Sequence, residues 1–206
     1  MAAKKARSRA ARKNDPDGVR GRFLDAAAEL FQNRGYCATG MQLIFEHAGV
    51  TAGALYHHFQ GKKQLALAVI EERVAVEVEQ TWIAPVRAAK STSDGVTVVF
   101  KNIAAQLERQ RSVRGCPVNN LTLELAFADR DFQASLRRVF DHWQQQLEAK
   151  LKHDMNERVL RRSKAGPLAA YIIAVYSGAM ALCKVQQSAA PLLQCLPELR
   201  ERLQAA

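Results

Sequence analysis

Apolar residues recur at helical spacing along nearly the whole chain. Val19, Phe23, Ala26, Ala27 and Leu30 fall on one face of a first helix. Asp15 followed by Pro16 reads as an N-cap with proline at the first helical position, and Gly35 as the stop. The run Thr39-Gly-Met-Gln42 fits a capping box, with Thr39 as N-cap and Gln42 three residues on. It predicts a short second helix that turns Leu43, Ile44 and Ala48 inward and ends at Gly49. Thr51 caps a short third helix carrying Leu55 and Tyr56, with Phe59 near its end. Gln60-Gly61 breaks the chain, and Lys62 opens a long fourth helix through about Ala89.

The helical pattern then continues. Asp94 is the expected cap of a helix with Val96, Val99, Ile103 and Leu107 on one face. Gly115-Cys116-Pro117 starts another, carrying Val118, Leu121 and Leu125. Asp129 caps a long one with Phe132, Leu136, Val139, Trp143, Leu147 and Leu151. Gly166-Pro167 opens a helix that is apolar nearly all round to Val185. A final short amphipathic segment carries Leu192, Leu196, Leu199 and Leu203, with Pro191 and Pro197 blurring its start. No strand and no internal repeat stands out. The pattern predicts an all-α protein of about nine helices.

Composition narrows the class. With 206 residues, 48% of them hydrophobic, the chain can bury a sizeable core. Eleven Gly and six Pro are few for a loop-rich all-β protein. The net charge of +10 favours nucleic acid or an anionic membrane as partner without deciding between them. Residues 1–14 form a basic tail, with Lys4, Lys5, Arg7, Arg9, Arg12 and Lys13 and no acid. Such a run does not pack and reads as disordered alone. It suits an arm along the DNA backbone or in the minor groove, or is simply a basic terminus. No secretory h-region follows Met1, and the apolar stretch 167–183 is short for a membrane span and rich in alanine. Cys37, Cys116, Cys183 and Cys195 form no CxxC pair and suggest neither a metal site nor a disulfide framework, which fits a reducing cytoplasm. No metal or cofactor is expected.

The second and third helices carry the functional signal. Ala48-Gly49-Val50-Thr51 has the length and glycine of a helix-turn-helix turn. In such a unit the second helix presents its N-terminal residues to base edges in the major groove. Here these are Thr51, Ala52, Gly53 and Ala54, small enough for the backbone to approach DNA. The alanines and the Thr51 methyl suit a thymine methyl. Tyr56 and His57 are placed to donate to phosphates, His58 less so, and Leu55 and Phe59 to anchor the helix. Lys62 and Lys63 in the first turn of the fourth helix oppose its dipole, an arrangement that becomes favourable when a phosphate docks there. A solvated lysine pair is the alternative. Thr39, Gln42, Thr51, Ala52, Gly53, Ala54, Tyr56, His57 and Lys62 are therefore the candidate DNA contacts.

The stretch 23–65 resembles the DNA-binding region of the TetR family. The matching residues are Ala-Ala-Glu-Leu-Phe at 27–31, Gly35-Tyr36, Ile44 and Ala48-Gly49-Val50-Thr51. Gly53, Leu55-Tyr56-His57-His58-Phe59, Lys62 and Leu65 follow. The Gly115-Cys116-Pro117, Asn120 and Glu124 pattern is similar to one in a subset of these regulators. Two departures stand out. Phe45 replaces the usual alanine and must repack against the first or fourth helix. Gly61 replaces the usual Ser or Asp before the helix-four lysine, which weakens the cap. The resemblance implies a helix-turn-helix domain over 15–65 and a helical effector-binding and dimerisation domain over 66–206. It implies a sequence-specific transcriptional regulator, a repressor that a small-molecule effector releases from a double-stranded DNA operator. It implies a cytoplasmic homodimer with no membrane partner.

The helix at 167–185 fits either a buried helix or a dimer contact. Ala170, Ala174, Gly178 and Ala181 give a small-residue stripe that permits close helix approach, and Leu196 and Leu199 on the last segment join the candidate interface. For the effector, Trp82, Phe100, Cys116, Asn119, Asn120, Trp143, Tyr171 and Tyr176 are candidates. Each also suits an ordinary core or surface role. Cys116 sits where a helix N-terminus favours thiolate, so a redox- or electrophile-responsive regulator is one alternative and an inert buried thiol the other. A non-specific basic nucleic-acid binder is a further alternative. No P-loop, GxGxxG or HExxH points to an enzyme.

Overall fold

The computed structural model describes residues 16–51, 53, 57–110, 112–160 and 163–205. Among these every regular element is helical. They are α1 (Pro16–Arg34), α2 (Met41–Ala48), α3 (Lys62–Val69), α4 (Ala75–Val78), α5 (Ala84–Ala88), α6 (Thr92–Arg109), α7 (Pro117–Leu125), α8 (Arg130–Asn156), α9 (Ala165–Gln186) and α10 (Ala190–Ala205). Two π-helical stretches, Ile70–Val74 and Glu79–Ile83, join α3 to α4 and α4 to α5, so the backbone stays helical from 62 to 88. Counted as one rod, this run brings the described helices to eight, close to the expected number. The proposed Asp15 cap, the basic tail at 1–14, and Ala52, Ala54, Leu55 and Tyr56 lie outside the described residues.

The chain forms two compact units, Met1–Arg73 and Val74–Ala206. The boundary expected after residue 65 falls inside the first unit, because residues 66–73 pack on α1. Glu72 accepts both guanidinium nitrogens of Arg20, and Arg73 donates to Asp25 at 2.7 Å. Ala66, Val69 and Ile70 are buried beside Phe23, Leu24, Ala27 and Leu30. The apolar spacing that predicts α1 thus builds the core of this unit.

In the second unit α6, α8, α9 and α10 pack on one another, and α5 packs on α6. The inward rows read from sequence are buried: Val96, Val99 and Ile103 on α6, and Phe132, Leu136, Trp143, Leu147 and Leu151 on α8. Asp129 caps α8 as expected, accepting the Asp131 N–H at 2.8 Å. The cap of α6 differs from expectation. Ser91 is the N-cap and accepts the Asp94 N–H at 3.0 Å, while Asp94, in the first turn, accepts the Ser91 hydroxyl at 2.8 Å. Helix α9 begins at Ala165, just before the predicted Gly166-Pro167 start. It is long and apolar enough to cross a membrane by length and composition alone, and it packs against α8 and α10. Helix α10 accommodates Pro197 in its interior.

Candidate nucleic-acid interface and ligand cavities

Helix α2 enters and leaves the turn in different ways. Its N-cap is Gly40, with no side-chain cap. The predicted capping box does not form. Thr39 is fully buried, and its hydroxyl donates back to the Gly35 carbonyl at 2.7 Å. That bond ties down the end of α1 and turns Thr39 away from solvent. Gln42 is exposed and donates to Glu46 one turn later at 2.9 Å. At the other end Gly49 takes φ +64°. Its N–H reaches the Glu46 carbonyl, and the Val50 N–H reaches that of Phe45, each at 3.2 Å. This is a Schellman closure, whose left-handed residue glycine adopts without a Cβ penalty. It turns the chain sharply into the third segment.

In that segment Thr51, Gly53 and His57 are exposed, His58 is half-buried and Phe59 is buried. The far end is held by Arg20, whose guanidinium lies 5.2 Å from the Phe59 ring centroid while it binds Glu72. The hydrogen bond from Arg20, followed by the nearby positive charges, holds the Glu72 carboxyl below its ordinary value against the opposing effect of burial. Phe45, bulky where the resemblance has alanine, packs edge-on against Phe23 of α1 at 6.3 Å. The extra ring thus packs, half-buried, at the edge of the core. At the start of α3, Gly61 is the N-cap and no side chain caps it. The Lys62 ammonium lies 4.2 Å from the Tyr36 ring centroid and 3.5 Å from the Cys37 carbonyl. Cation–π attraction and a carbonyl acceptor offset the cost of a cation at a helix N-terminus.

Among the described residues of the second unit, two cavities differ in character. The larger, about 430 Å³, is lined on α7 by Asn119, Asn120 and Leu123, on α8 by Phe140, and on α9 by Ser177, Met180, Ala181, Lys184 and Val185. Cys116 and Gly115 close one side. The polar groups of this wall are partnered. Ser177 donates to Asn119 at 3.2 Å, Lys184 donates to the Asn120 side-chain oxygen at 3.0 Å, and Asn120 donates to the Arg114 carbonyl at 2.9 Å. The smaller, about 20 Å³, is lined by Trp82, Trp143, Tyr176, Cys116, Glu77 and neighbouring apolar residues.

The candidate effector residues therefore divide. Cys116, Asn119 and Asn120 line the large cavity, and Trp82, Cys116, Trp143 and Tyr176 line the small one. Phe100 lines neither. It is buried against Trp82, with centroids 5.7 Å apart in an edge contact. Tyr171 is exposed on the outer side of α9 and also lines neither. Leu123, Phe140, Met180 and Lys184 are lining residues that sequence reading did not select. Only α7, α8 and α9 coming together identifies them.

Cys116 is the N-cap of α7, as its sequence context suggests. Its thiol is nevertheless pushed up to about 11, first by burial and against hydrogen bonds from the α7 backbone and Tyr176. Desolvation outweighs the helix terminus, so the activated-thiolate reading does not hold. The dimer candidates divide as well. Ala170, Ala174, Gly178 and Ala181 are exposed along one side of α9, and a Cβ on Gly178 would meet no atom within 4 Å. Leu196 and Leu199 are buried within the chain.

Comparison with known proteins agrees with this architecture. Residues 92–197, just over half the chain, match the family model described as "Transcriptional regulator LmrA/YxaF-like, C-terminal domain". Residues 23–69 match that of "Bacterial regulatory proteins, tetR family". The chain is 27% identical to the HTH-type transcriptional regulator LmrA of Bacillus subtilis over 187 residues, covering 89% of this chain and 97% of the relative. It is 26% identical to the HTH-type transcriptional repressor DhaR of Mycobacterium sp. over 193 residues, covering 90% and 92%. A TetR transcriptional regulator from Chloroflexus aurantiacus superposes with a TM-score of 0.79 at 28% identity, over 90% of this chain and 94% of that one. The chain belongs to the TetR family and is a helical, DNA-binding transcriptional regulator.

Proposed function

We propose that this protein is a homodimeric, cytoplasmic repressor whose hold on a double-stranded operator is released by a small-molecule effector. The carrying observation is the turn at Gly49 followed by a segment exposed at Thr51, Gly53 and His57 and anchored at Phe59. That arrangement offers small residues to base edges from a fixed base. Two such segments read two half-sites about one DNA turn apart, roughly 34 Å. Ala170, Ala174, Gly178 and Ala181 form the close-approach face of the dimer, exposed in the single subunit and free of side chains that would hold a partner helix away.

The effector occupies the 430 Å³ cavity, which has the size and mostly apolar lining of a ligand site. It acts by binding better to a dimer state whose recognition segments no longer match the operator. Lys62 contributes a phosphate contact at the uncapped start of α3, its ammonium held over the Tyr36 ring.

The test is binding to fragments flanking the protein's own gene, against a scrambled duplex, at low and physiological salt. Selective binding that survives physiological salt is expected. Equal binding to both duplexes would favour a charge-driven binder instead. Lys62→Met keeps a long unbranched side chain and removes the charge. With one Lys62 in each subunit of the dimer, it should lower the salt slope by about 1.8. An unchanged slope removes Lys62 from the interface.

A further inference from the structure

Lys184 is the one charged residue among the described residues that line the 430 Å³ cavity. Its side chain is held in place. A Cβ on Gly115 would sit 3.1 Å from the Lys184 Cδ, so the lysine stem lies against the bare backbone of Gly115, which takes φ +82°. The stem delivers the ammonium to the Asn120 side-chain oxygen at 3.0 Å. That oxygen is neutral, and no carboxylate among the described residues pairs with the ammonium. An ammonium has three N–H donors, of which Asn120 takes one. Lys150 and Lys152 on α8 differ, each meeting a carboxylate one turn away.

The rest of the wall sets what that ammonium can meet. Ser177 donates to Asn119 at 3.2 Å, Asn120 donates to the Arg114 carbonyl at 2.9 Å, and Thr122 donates to the Val118 carbonyl at 2.7 Å. These bonds occupy the neutral polar groups and leave the ammonium as the open donor. Cys116 stays protonated, its thiol pushed up to about 11 by burial, and adds no negative charge. Met180 is buried and Phe140 half-buried, while Leu123 and Val185 stand exposed at 86% and 84% beside the lysine. Ser177 and Lys184 lie two turns apart on α9, about 10 Å. A cation in this cavity meets a like charge and no acid. A neutral ligand leaves the ammonium without a counter-charge, and a dianion meets one cation where two would be needed.

We propose that this cavity binds an organic monocarboxylate, with its carboxylate paired to the Lys184 ammonium and its apolar body against Met180 and Phe140. Ligand sites are mostly apolar, and a single well-placed charge fixes the ligand's orientation within them. The pair is a charge-assisted hydrogen bond. Lys184 is exposed in part to water, so salt screens the pair and the selectivity it gives is modest. The inference rests on the effector reading above for the use of the cavity and adds the chemistry of the ligand.

The probes are 4-phenylbutanoate and 4-phenylbutanamide, matched in shape and different in charge. The chain has four methionines, and Met180 lines the cavity. Methyl-13C-methionine labelling of the full chain therefore reports occupancy at Met180, with its signal assigned by Met180→Leu. The carboxylate should move that signal saturably, at a half-saturating concentration about tenfold below that of the amide at low salt, and the gap should narrow as salt is raised. Lys184→Gln keeps a donor for Asn120 and removes the charge. It should bring the two probes within about twofold of each other by weakening the carboxylate and leaving the amide where it was. Equal half-saturation in the wild type overturns the carboxylate class and leaves the cavity as a ligand site. A preference that survives Lys184→Gln also overturns the proposal. A Met180 signal that neither probe moves up to its solubility limit overturns the proposal together with the cavity reading beneath it. A carboxylate that binds as expected but leaves the operator complex intact overturns the effector role of the cavity and not its ligand class.

Discussion

Asp154 is buried to 1% exposure at the end of α8 and holds the start of α6. Its carboxylate accepts the Thr92 N–H at 2.6 Å and the Thr92 hydroxyl at 2.7 Å, and pairs with the Lys150 ammonium at 2.9 Å. The Lys150 side chain is itself only 10% exposed. Asp154→Ala removes three charge-assisted contacts at once. It leaves a nearly buried ammonium without its partner, and a helix N-terminus without the anion that its dipole favours. Breaking a buried pair from one side costs about 3–5 kcal/mol. Replacing both partners with apolar residues of similar size costs far less, since no charge is then stranded. Asp154→Leu combined with Lys150→Met should therefore recover much of the loss. Urea unfolding read by tryptophan fluorescence isolates the helical unit, because both tryptophans lie in it. A loss below about 1 kcal/mol for Asp154→Ala, the range of an exposed pair, would refute the reasoning.

A Cβ at Gly95 would lie 2.7 Å from the Val86 Cα, so α5 and α6 meet backbone to backbone there. Gly95→Ala should destabilise the same transition by about 1–3 kcal/mol from overpacking, despite a helix-propensity gain of about 1 kcal/mol; an unchanged or higher midpoint would count against the close approach. Thiol labelling of the native protein at neutral pH, read by peptide mass, should modify exposed Cys37 well before buried Cys116, whose thiol is pushed up to about 11. Equal rates would reinstate Cys116 as a sensor. Glu72 is held below its ordinary value of 4.5 when folded, so its bond to Arg20 stabilises above that value and is lost as pH falls through the lower, folded one. Amide protection in α1 should fall more steeply below pH 4.5 in the wild type than in Glu72→Gln, and matching acid limbs would argue that Arg20 gains nothing from the charge.

Sequence by itself determined the helices, because a 3.6-residue apolar period, a capping aspartate and a stopping glycine act within a few residues of one another. It also determined the family, because the turn around Gly49 and the residues after it depend on local backbone geometry. Where a cap had two neighbouring candidates, tertiary contacts chose between them. Thr39 bonds back to the end of α1 and leaves Gly40 to start α2. Ser91 rather than Asp94 caps α6, at the helix end that Asp154 also holds from 62 residues away.

The inward or outward sense of a residue on an apolar helix was likewise a tertiary decision. On α9 Ala170, Ala174, Gly178 and Ala181 face out while Ala169, Ile172, Tyr176 and Met180 face in. On α10 Leu196 and Leu199 face in although they share the amphipathic pattern of an interface. Periodicity says that a face is apolar and not what covers it. The cavities were least legible, because their walls come from distant stretches that only packing brings together. Tyr171 and Tyr176 lie five residues apart on one helix, yet the first meets solvent and the second meets Trp82. The Cys116 thiol shows the same limit in its chemistry. Its place at a helix start is written in the sequence, but the burial that keeps it protonated exists only once α7 is packed in place.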